Sequence, residues 1–210
     1  MRRLLASLFA LLLFAAPAMS HNWSKVAERL QESVVMLETF SGLAYCSGWV
    51  IDNKRDYVMT AEHCINTGNP LYGGVIMVDG HFATVVSSNV ELDAAVLYVE
   101  GINRPELKPR TDPIRVGMPV ASYGFALEDG LKEHFRAGYV SATDAKVERL
   151  SGTWTLVDQA IIGGMSGGPI VDTSGKVVMM NQRSDRLRHA LGKSIGEIFS
   201  VTSAYWRHKK

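Results

Sequence analysis

In Gly163-Gly164-Met165-Ser166-Gly167-Gly168-Pro169, four glycines surround a single serine, and the β-branched pair Ile170-Val171 follows at once. Glycine is used where a backbone turns tightly or approaches a ligand closely, so the stretch predicts a turn that exposes the Ser166 hydroxyl. On such a turn the N–H groups of Gly164 and Ser166 can converge beside the hydroxyl and form an oxyanion hole. The alternative is a hairpin turn without chemistry. A base and an orienting acid elsewhere in the chain would favour the first interpretation.

The composition is that of an ordinary globular protein. The 210 residues are 47% hydrophobic and 20% charged, which is enough for one large domain or two small ones. The net charge of +1 creates no field that would attract nucleic acid, so we expect no nucleic-acid partner. The six histidines are scattered and there are two cysteines, so we expect neither a metal nor another cofactor. The oligomeric state is left open.

The first twenty residues have the three parts of a secretory signal peptide. Met1-Arg2-Arg3 is positively charged, Leu4 to Ala16 is apolar, and small residues follow, with cleavage expected after Ala18 or after Ser20. The apolar run is short for a membrane span, which needs about 20 residues, although an uncleaved anchor is the alternative. We therefore expect an exported protein, periplasmic or secreted, without a stable membrane span after cleavage. In such a compartment disulfides are allowed.

Short β-rich runs dominate the mature chain and predict an all-β barrel or sandwich. A helical pattern from Trp23 to Gln31 comes first, so residues 21–33 are expected to be an N-terminal helical segment. A polar segment at 101–113, with three prolines, has the composition of a linker between two β-units at 34–100 and 114–203, and a tail follows at 204–210. The predicted strands are 34–40, 45–51, 57–60, 74–78, 82–87, 94–99, 120–124, 135–142, 154–157, 168–171, 177–181 and 195–201.

A histidine stands in a polar turn directly after one predicted strand, in Thr60-Ala61-Glu62-His63-Cys64. A histidine in such a turn is often only a surface or capping residue. Cys64 can bridge only to Cys46, and two lone cysteines in an exported protein are more often paired than free. The bridge would close a loop of roughly eighteen residues, stabilise the fold by about 3 kcal/mol and rigidify the turn. That rigidity favours a functional role for His63.

The candidate acid is Asp93, at the mouth of the apolar run Ala94-Ala95-Val96-Leu97. Aspartate is a poor strand former, and a partly buried carboxylate needs hydrogen-bond donors such as an imidazole N–H. Orienting His63 in the correct tautomer is the role of such a group in a catalytic triad. The alternative is an ordinary turn aspartate at the start of a strand. Glu91, two residues earlier, is the substitute candidate.

Three blocks occur in the order His, Asp, Ser, and together they resemble the signature blocks of trypsin-like (chymotrypsin-fold) serine peptidases. The blocks are Thr60–Cys64, Asp93–Leu97 and Gly164–Pro169. Further stretches are similar to the second-barrel strands of HtrA-type bacterial members, namely Arg115–Gly117, Ala121–Gly124 and Ala137–Ser141. The similarity covers roughly residues 34 to 202, nearly the whole mature chain.

The resemblance implies two antiparallel six-stranded β-barrels with the active site in the cleft between them. His63 and Asp93 would come from the first barrel and Ser166 from the second. Ser166 would be the nucleophile, His63 the general base and Asp93 the group that holds the imidazole, with the Gly164 and Ser166 amides as the oxyanion hole. The reaction would be acyl transfer to serine followed by hydrolysis, and the partner a protein or peptide substrate.

The sequence departs from the family at three points. Animal members carry an aspartate just before the serine, which receives a new N-terminal amine after zymogen cleavage, but this chain has Met165 there. Activation through that ion pair is therefore not expected. The Cys46 and Cys64 pair resembles the bridge beside the histidine in the animal branch. The predicted barrels extend to about residue 203, so no PDZ domain is expected after them.

The resemblance also predicts the walls of a pocket for the substrate side chain. Ala160, six residues before the serine, matches the position that is acidic in trypsin, and Ile161 follows it. Met179, Met180 and Asn181 would form the opposite wall. Because none of these residues is charged, a buried Arg or Lys would have no partner, which is costly. We therefore predict a preference for small to medium aliphatic residues.

A basic segment follows the predicted pocket wall and carries Arg183, Arg186, Arg188 and His189. The simplest interpretation is a solvated loop at the rim of the pocket. The alternative is a surface that attracts acidic residues flanking the scissile bond.

Two other functions compete with the peptidase. Gly164-Met165-Ser166-Gly167-Gly168 also fits G-x-S-x-G, the nucleophile elbow of serine esterases with the α/β-hydrolase fold. That fold requires the order Ser, acid, His, but only 44 residues follow Ser166, and the chain lacks alternating helices and strands. The second competitor is a trypsin-like fold kept as a binding module without catalysis.

Overall fold

The computed structural model describes residues 21–39, 44–65, 76–127, 132–184 and 189–199. The predicted signal peptide, its two candidate cleavage sites and the predicted tail at 204–210 lie outside these ranges. No helix among the described residues is both long and apolar enough to cross a membrane.

The chain begins with helix α1, which runs over Trp23–Ser33. The side chain of Asn22 caps the helix by accepting a hydrogen bond from the Ser24 N–H (3.1 Å), which satisfies one of its free amides. Val26 and Leu30 lie on its buried face and join the main hydrophobic core.

The first β-unit is a closed barrel of six antiparallel strands, in the order β1-β2-β3-β6-β5-β4. The barrel closes because β1 pairs with both β2 and β4. β6 is buried at five of its six positions, as its run of small and β-branched residues requires. The strands are β1 (Val34–Thr39), β2 (Ala44–Asp52), β3 (Tyr57–Thr60), β4 (Ile76–Val78), β5 (His81–Asn89) and β6 (Ala94–Val99).

The second β-unit is an antiparallel sheet of seven strands, in the order β11-β10-β7-β8-β9-β13-β12. A bridge between Met179 and Ser194 joins β11 to the residues after β13, so the two sides of the sheet come together. The strands are β7 (Pro119–Ala126), β8 (Lys132–Ala145), β9 (Trp154–Val157), β10 (Pro169–Asp172), β11 (Val177–Met180), β12 (Arg183–Ser184) and β13 (Ala190–Gly192). The predicted all-β class and the six-stranded first barrel are confirmed.

Two details of the predicted second unit are wrong. Its described residues form seven strands rather than six, because the very short β12 and β13 carry too few residues for a recognisable alternation. The predicted strand at 195–201 is instead a helical turn over 195–199. Ser194 and Glu197 explain the difference, because the Glu197 carboxylate accepts from the Ser194 N–H (3.0 Å) while the Ser194 hydroxyl accepts from the Glu197 N–H (3.3 Å). This is a capping box, which overrides the apolar pattern of the following residues.

The segment between the two units is bonded to both of them. The Leu107 N–H donates to the Val50 carbonyl of β2 (3.0 Å), and Leu107 itself is buried. The Arg110 N–H donates to the Val177 carbonyl of β11 (2.8 Å), and the Val177 N–H donates to Lys108 (2.9 Å). Backbone hydrogen bonds from residues 107–110 therefore hold the proline-rich stretch to both units.

Candidate active site

His63 and Asp93 meet at the open end of the first barrel. His63 lies in a 3-10 turn over Glu62–Cys64 that follows β3, and Asp93 directly precedes β6, the strand paired with β3. His63 Nδ1 lies 2.8 Å from Asp93 Oδ2 and 2.9 Å from Oδ1, and the His63 backbone N–H donates to Oδ1 at 2.9 Å. Strand pairing thus brings together two residues that are thirty positions apart. Glu91, the substitute candidate, is exposed.

Asp93 is itself held in an unusual backbone conformation. Its φ of 48° lies in the left-handed region, which aspartate tolerates better than most side chains do. The residue is only 4% exposed. The Gln182 side chain, which belongs to the second unit, donates to the Asp93 carbonyl at 2.9 Å. This hydrogen bond holds the turn that carries Asp93.

The environment of Asp93 favours its charged form. Burial would raise the pKa of this carboxyl, but hydrogen bonds from His63 and the charges of His63 and Arg183 outweigh it, so the pKa lies below its ordinary value. The Arg183 guanidinium, on β12, is 3.5 Å from Asp93 Oδ2, and its side chain is 46% exposed. A carboxylate that stays ionised can hold the Nδ1 proton of His63 and leave Nε2 free to accept another proton.

A tight turn over Ile162–Met165 precedes the serine. The Met165 N–H donates to the Ile162 carbonyl (3.1 Å), and Gly164 has a φ of 97°, which a type II turn requires at its third position. The Gly163 carbonyl accepts from the Leu127 N–H at 2.8 Å. Because a trans peptide is planar, the Gly164 N–H points away from that carbonyl.

Two amides that follow the serine donate hydrogen bonds to backbone carbonyls. The Gly167 N–H donates to Asn181 (2.7 Å) and the Gly168 N–H to Met165 (3.1 Å). Within the described part of the chain, the N–H groups of Gly163, Gly164 and Ser166 donate no hydrogen bond. The last two are the amides that the sequence predicts for the oxyanion hole.

Ser166 lies at the junction of the two units. Its carbonyl accepts from the Ser47 N–H of β2 at 2.8 Å, and the Cys64 sulfur lies 3.8 Å from the same oxygen. Among the described residues, the Ser166 hydroxyl makes no hydrogen bond to the His63 ring. In enzymes without substrate this hydrogen bond is often long and tightens only in the complex.

A disulfide joins Cys46 of β2 to Cys64 of the histidine turn, with 6.1 Å between the two Cα atoms. Both cysteines are buried. Together with His63 they are the one group of potential metal ligands found among the described residues, all within 4.8 Å. Because both sulfurs belong to the disulfide, they cannot act as thiolate ligands. The bridge instead holds His63 against the strand that contacts the serine turn.

The comparison of sequences identifies the fold family. A family described as "Trypsin-like peptidase domain" matches residues 46–180, which is more than half of the chain and includes all three predicted triad positions. The chain belongs to the trypsin-like peptidase family.

The relatives of this trypsin-like domain include HtrA-type proteins. A "Probable periplasmic serine endoprotease DegP-like" of Buchnera aphidicola is 27% identical over 140 residues, which cover 64% of this chain and 30% of the relative. A protein of Halomonas elongata with the same name is 30% identical over 141 residues, 65% of this chain and 29% of the relative. The chain therefore spans about a third or less of the length of these relatives.

Solved structures show the same trypsin-like fold. The HtrA-type protease AlgW with a decapeptide has a TM-score of 0.75 at 20% identity, covering 89% of this chain and 68% of that one. The inactive form of the Rv3671c protease has a TM-score of 0.70 at 22% identity, covering 90% and 95% of the two chains. At such identities the likeness shows the fold alone.

The five predicted pocket residues of this trypsin-like domain differ in exposure, and Met179 is one of the buried ones. Ala160 is exposed and Ile161 half-buried, whereas Met180 and Asn181 are buried. The Asn181 carbonyl is bound to Gly167 of the serine turn, so this wall is continuous with the turn. A cavity of about 630 Å³ lies elsewhere, beside the linker segment, and none of the predicted site residues lines it.

Three residues near the site were not singled out by the sequence as parts of it: Ser47, Gln182 and Arg183. Arg183 was expected in a basic surface segment, but its guanidinium contacts Asp93. His189 of the same segment is half-buried, and Arg186 and Arg188 lie outside the described residues. No local pattern identifies such residues, because each contacts the site through strands that are distant along the chain.

Proposed function

We propose that this chain is a serine endopeptidase that hydrolyses peptide bonds through an acyl-enzyme. The observation that carries the proposal is an imidazole oriented by a buried carboxylate, in a fold whose serine turn leaves the Gly164 and Ser166 N–H groups without a bond to any described residue. The names of the relatives, serine endoproteases, support the same activity. His63 and Asp93 belong to the first unit and Ser166 to the second, so the substrate would lie across the cleft between the units.

In the proposed reaction Ser166 Oγ attacks the carbonyl carbon of the substrate while His63 Nε2 accepts the hydroxyl proton. The carbonyl π-electrons move to oxygen, and the resulting oxyanion accepts hydrogen bonds from the Gly164 and Ser166 N–H groups. His63 then donates its proton to the departing amine, and the C–N bond breaks. A water molecule, deprotonated by His63, releases the acyl group in the same way. Asp93 stabilises the imidazolium throughout and does not itself take up the proton.

We further propose that the protein is exported. The signal-peptide pattern of residues 1–20 supports export. The Cys46–Cys64 disulfide also supports it, because disulfides persist in oxidising compartments. Several relatives are named as periplasmic.

A fluorophosphonate probe tests the activity directly. We expect the folded protein to form an Oγ–P bond with loss of fluoride, the hydroxyl proton passing to His63. Ser166→Ala and His63→Ala should abolish labelling, whereas Ser122→Ala should not, because the Ser122 hydroxyl is buried and makes no hydrogen bond to any described residue. Absence of labelling in folded wild-type protein would contradict the peptidase and favour the binding module.

Profiling with a peptide library tests the proposed side-chain preference. We expect cleavage after small to medium aliphatic residues to exceed cleavage after Arg or Lys by about 10-fold or more, because the uncharged pocket leaves a buried cation unpaired. The matched variant Ala160→Asp places a carboxylate at the position that is acidic in trypsin and should increase cleavage after Arg and Lys. A wild-type preference for Arg or Lys would overturn the assignment of this pocket.

A further inference from the structure

Ser47 of β2 is fully buried and uses all of its polar groups at the junction of the two units. Its N–H donates to the Ser166 carbonyl (2.8 Å), and its hydroxyl donates to the Gly164 carbonyl (2.8 Å). The hydroxyl also accepts from the Phe125 N–H (2.9 Å), and the Ser47 carbonyl accepts from the Thr60 hydroxyl (2.8 Å). One residue of the first barrel therefore makes two separate contacts with the serine turn.

These two contacts fall on the two residues that the sequence predicts for the oxyanion hole. Gly164 and Ser166 have free N–H groups within the described part of the chain, and the carbonyl of each is bound to Ser47. The Gly164 carbonyl belongs to the Gly164–Met165 peptide unit, which lies between the two units that carry the Gly164 and Ser166 N–H groups. A hydrogen bond to this carbonyl limits the rotation of that unit, so Ser47 holds the link between the two predicted oxyanion donors.

The direction of the Ser47 hydroxyl is determined by its neighbours. A serine hydroxyl has a single proton, and because the oxygen already accepts from the Phe125 N–H, that proton is directed to the Gly164 carbonyl. Packing leaves Ser47 little freedom to move relative to the serine turn, since a Cβ added to Gly167 would lie 2.3 Å from the Ser47 carbonyl oxygen. A Cβ added to Gly168 would lie 3.3 Å from Ser47 Cβ.

We propose that Ser47 is a positioning residue for the oxyanion hole, whose hydroxyl holds the Gly164 carbonyl so that the Gly164 and Ser166 N–H groups converge. This role rests on the proposed function, because it presumes an oxyanion at this turn. Ser47 does not touch the substrate and acts through Gly164. Its contribution is to transition-state binding rather than to substrate binding.

Ser47→Ala is the variant that tests the role, because it removes the hydroxyl but keeps the backbone bonds to Ser166 and Thr60. We expect kcat to fall by about 10-fold, less than the 10²–10³ that follows removal of an oxyanion-hole donor, with KM unchanged. The affinity for a peptide aldehyde should fall by the same factor. Addition of Ser166 Oγ to the aldehyde carbon places an oxygen anion in the hole, whereas the uncleaved peptide does not.

The matched control is Ser122→Ala, the same change at another buried serine, whose hydroxyl has no hydrogen-bond partner in the part of the chain that the structure describes. It should leave kcat, KM and aldehyde affinity unchanged. Ser47→Gly, which removes the same hydroxyl, replaces Ser47→Ala if that variant does not fold. A Ser47 variant with wild-type kcat and aldehyde affinity, or one in which KM rises while the ratio of aldehyde to substrate affinity is constant, would overturn the proposal.

A measurement without turnover separates this inference from the proposed function. Backbone ¹⁵N relaxation should show lower order at Gly164 and Ser166 in Ser47→Ala than in Ser122→Ala. If wild-type protein neither hydrolyses peptides nor binds the aldehyde, the proposed function fails, and the relaxation data still decide whether Ser47 orders the turn. Equal order parameters in the two variants would overturn the positioning role.

Discussion

Replacing Asp93 with asparagine is expected to lower kcat by about 10⁴-fold, with the fold retained. The asparagine amide can donate to His63 Nδ1, which favours the tautomer that carries its proton on Nε2 and cannot accept the serine proton. The variant also loses the negative charge that stabilises the imidazolium. Steady-state hydrolysis of a chromogenic peptide, with circular dichroism as the check on folding, measures the loss.

Glu91→Gln is the matched control for this experiment, because Glu91 is the other carboxylate of the same turn and is exposed. It should retain nearly wild-type kcat. A large loss of kcat in Glu91→Gln, together with an active Asp93→Asn variant, would show that Glu91 and not Asp93 orients His63.

The pH dependence of stability follows from the same carboxylate. Its folded pKa is lowered, with His63 and Arg183 as the charged groups that favour ionisation, so its stabilising contribution is present above the unfolded pKa of about 3.9. That contribution is lost as the pH falls through the lower, folded pKa. The difference in unfolding free energy between wild type and Asp93→Asn should therefore shrink as the pH falls below about 4. Denaturant titrations at several pH values measure it.

Gly164→Ala is expected to lower kcat by about 10²–10³-fold, the effect of losing an oxyanion-hole donor. A Cβ at this position would lie 2.4 Å from the Phe125 carbonyl oxygen, and the φ of 97° is unfavourable for any residue with a Cβ. The turn must therefore shift, and the Gly164 N–H moves with it. Because the contact forms in the transition state, KM should change much less than kcat.

The adjacent glycine provides the control for Gly164. A Cβ at Gly163 would approach no closer than 3.8 Å, to Leu127 Cδ1, so Gly163→Ala fits without displacement of the turn. We expect a much smaller loss of kcat in this variant, measured with the same substrate. Equal losses in the two variants would show that the Gly164 amide has no special role.

Local sequence patterns determined the fold class and the family. Short β-rich runs separated by turn residues predicted an all-β protein, and three blocks in the order His, Asp, Ser predicted the trypsin-like family that the sequence comparison shows. These signals are local, because strand propensity and tight turns depend on neighbouring residues. The roles of His63, Asp93 and Ser166 stay predictions, which the variants above test.

Tertiary structure decided how the serine turn is held. The Ser47 hydroxyl and the Gly164 carbonyl are 117 positions apart, and Arg183 reaches Asp93 from the other unit. Such contacts arise only when strands from distant parts of the chain pair and pack, so no local pattern reports them. By itself the sequence placed a serine among glycines. The packing of β2 against that turn binds the carbonyls of Gly164 and Ser166, because a buried carbonyl needs a donor, whereas their N–H groups donate to no described residue.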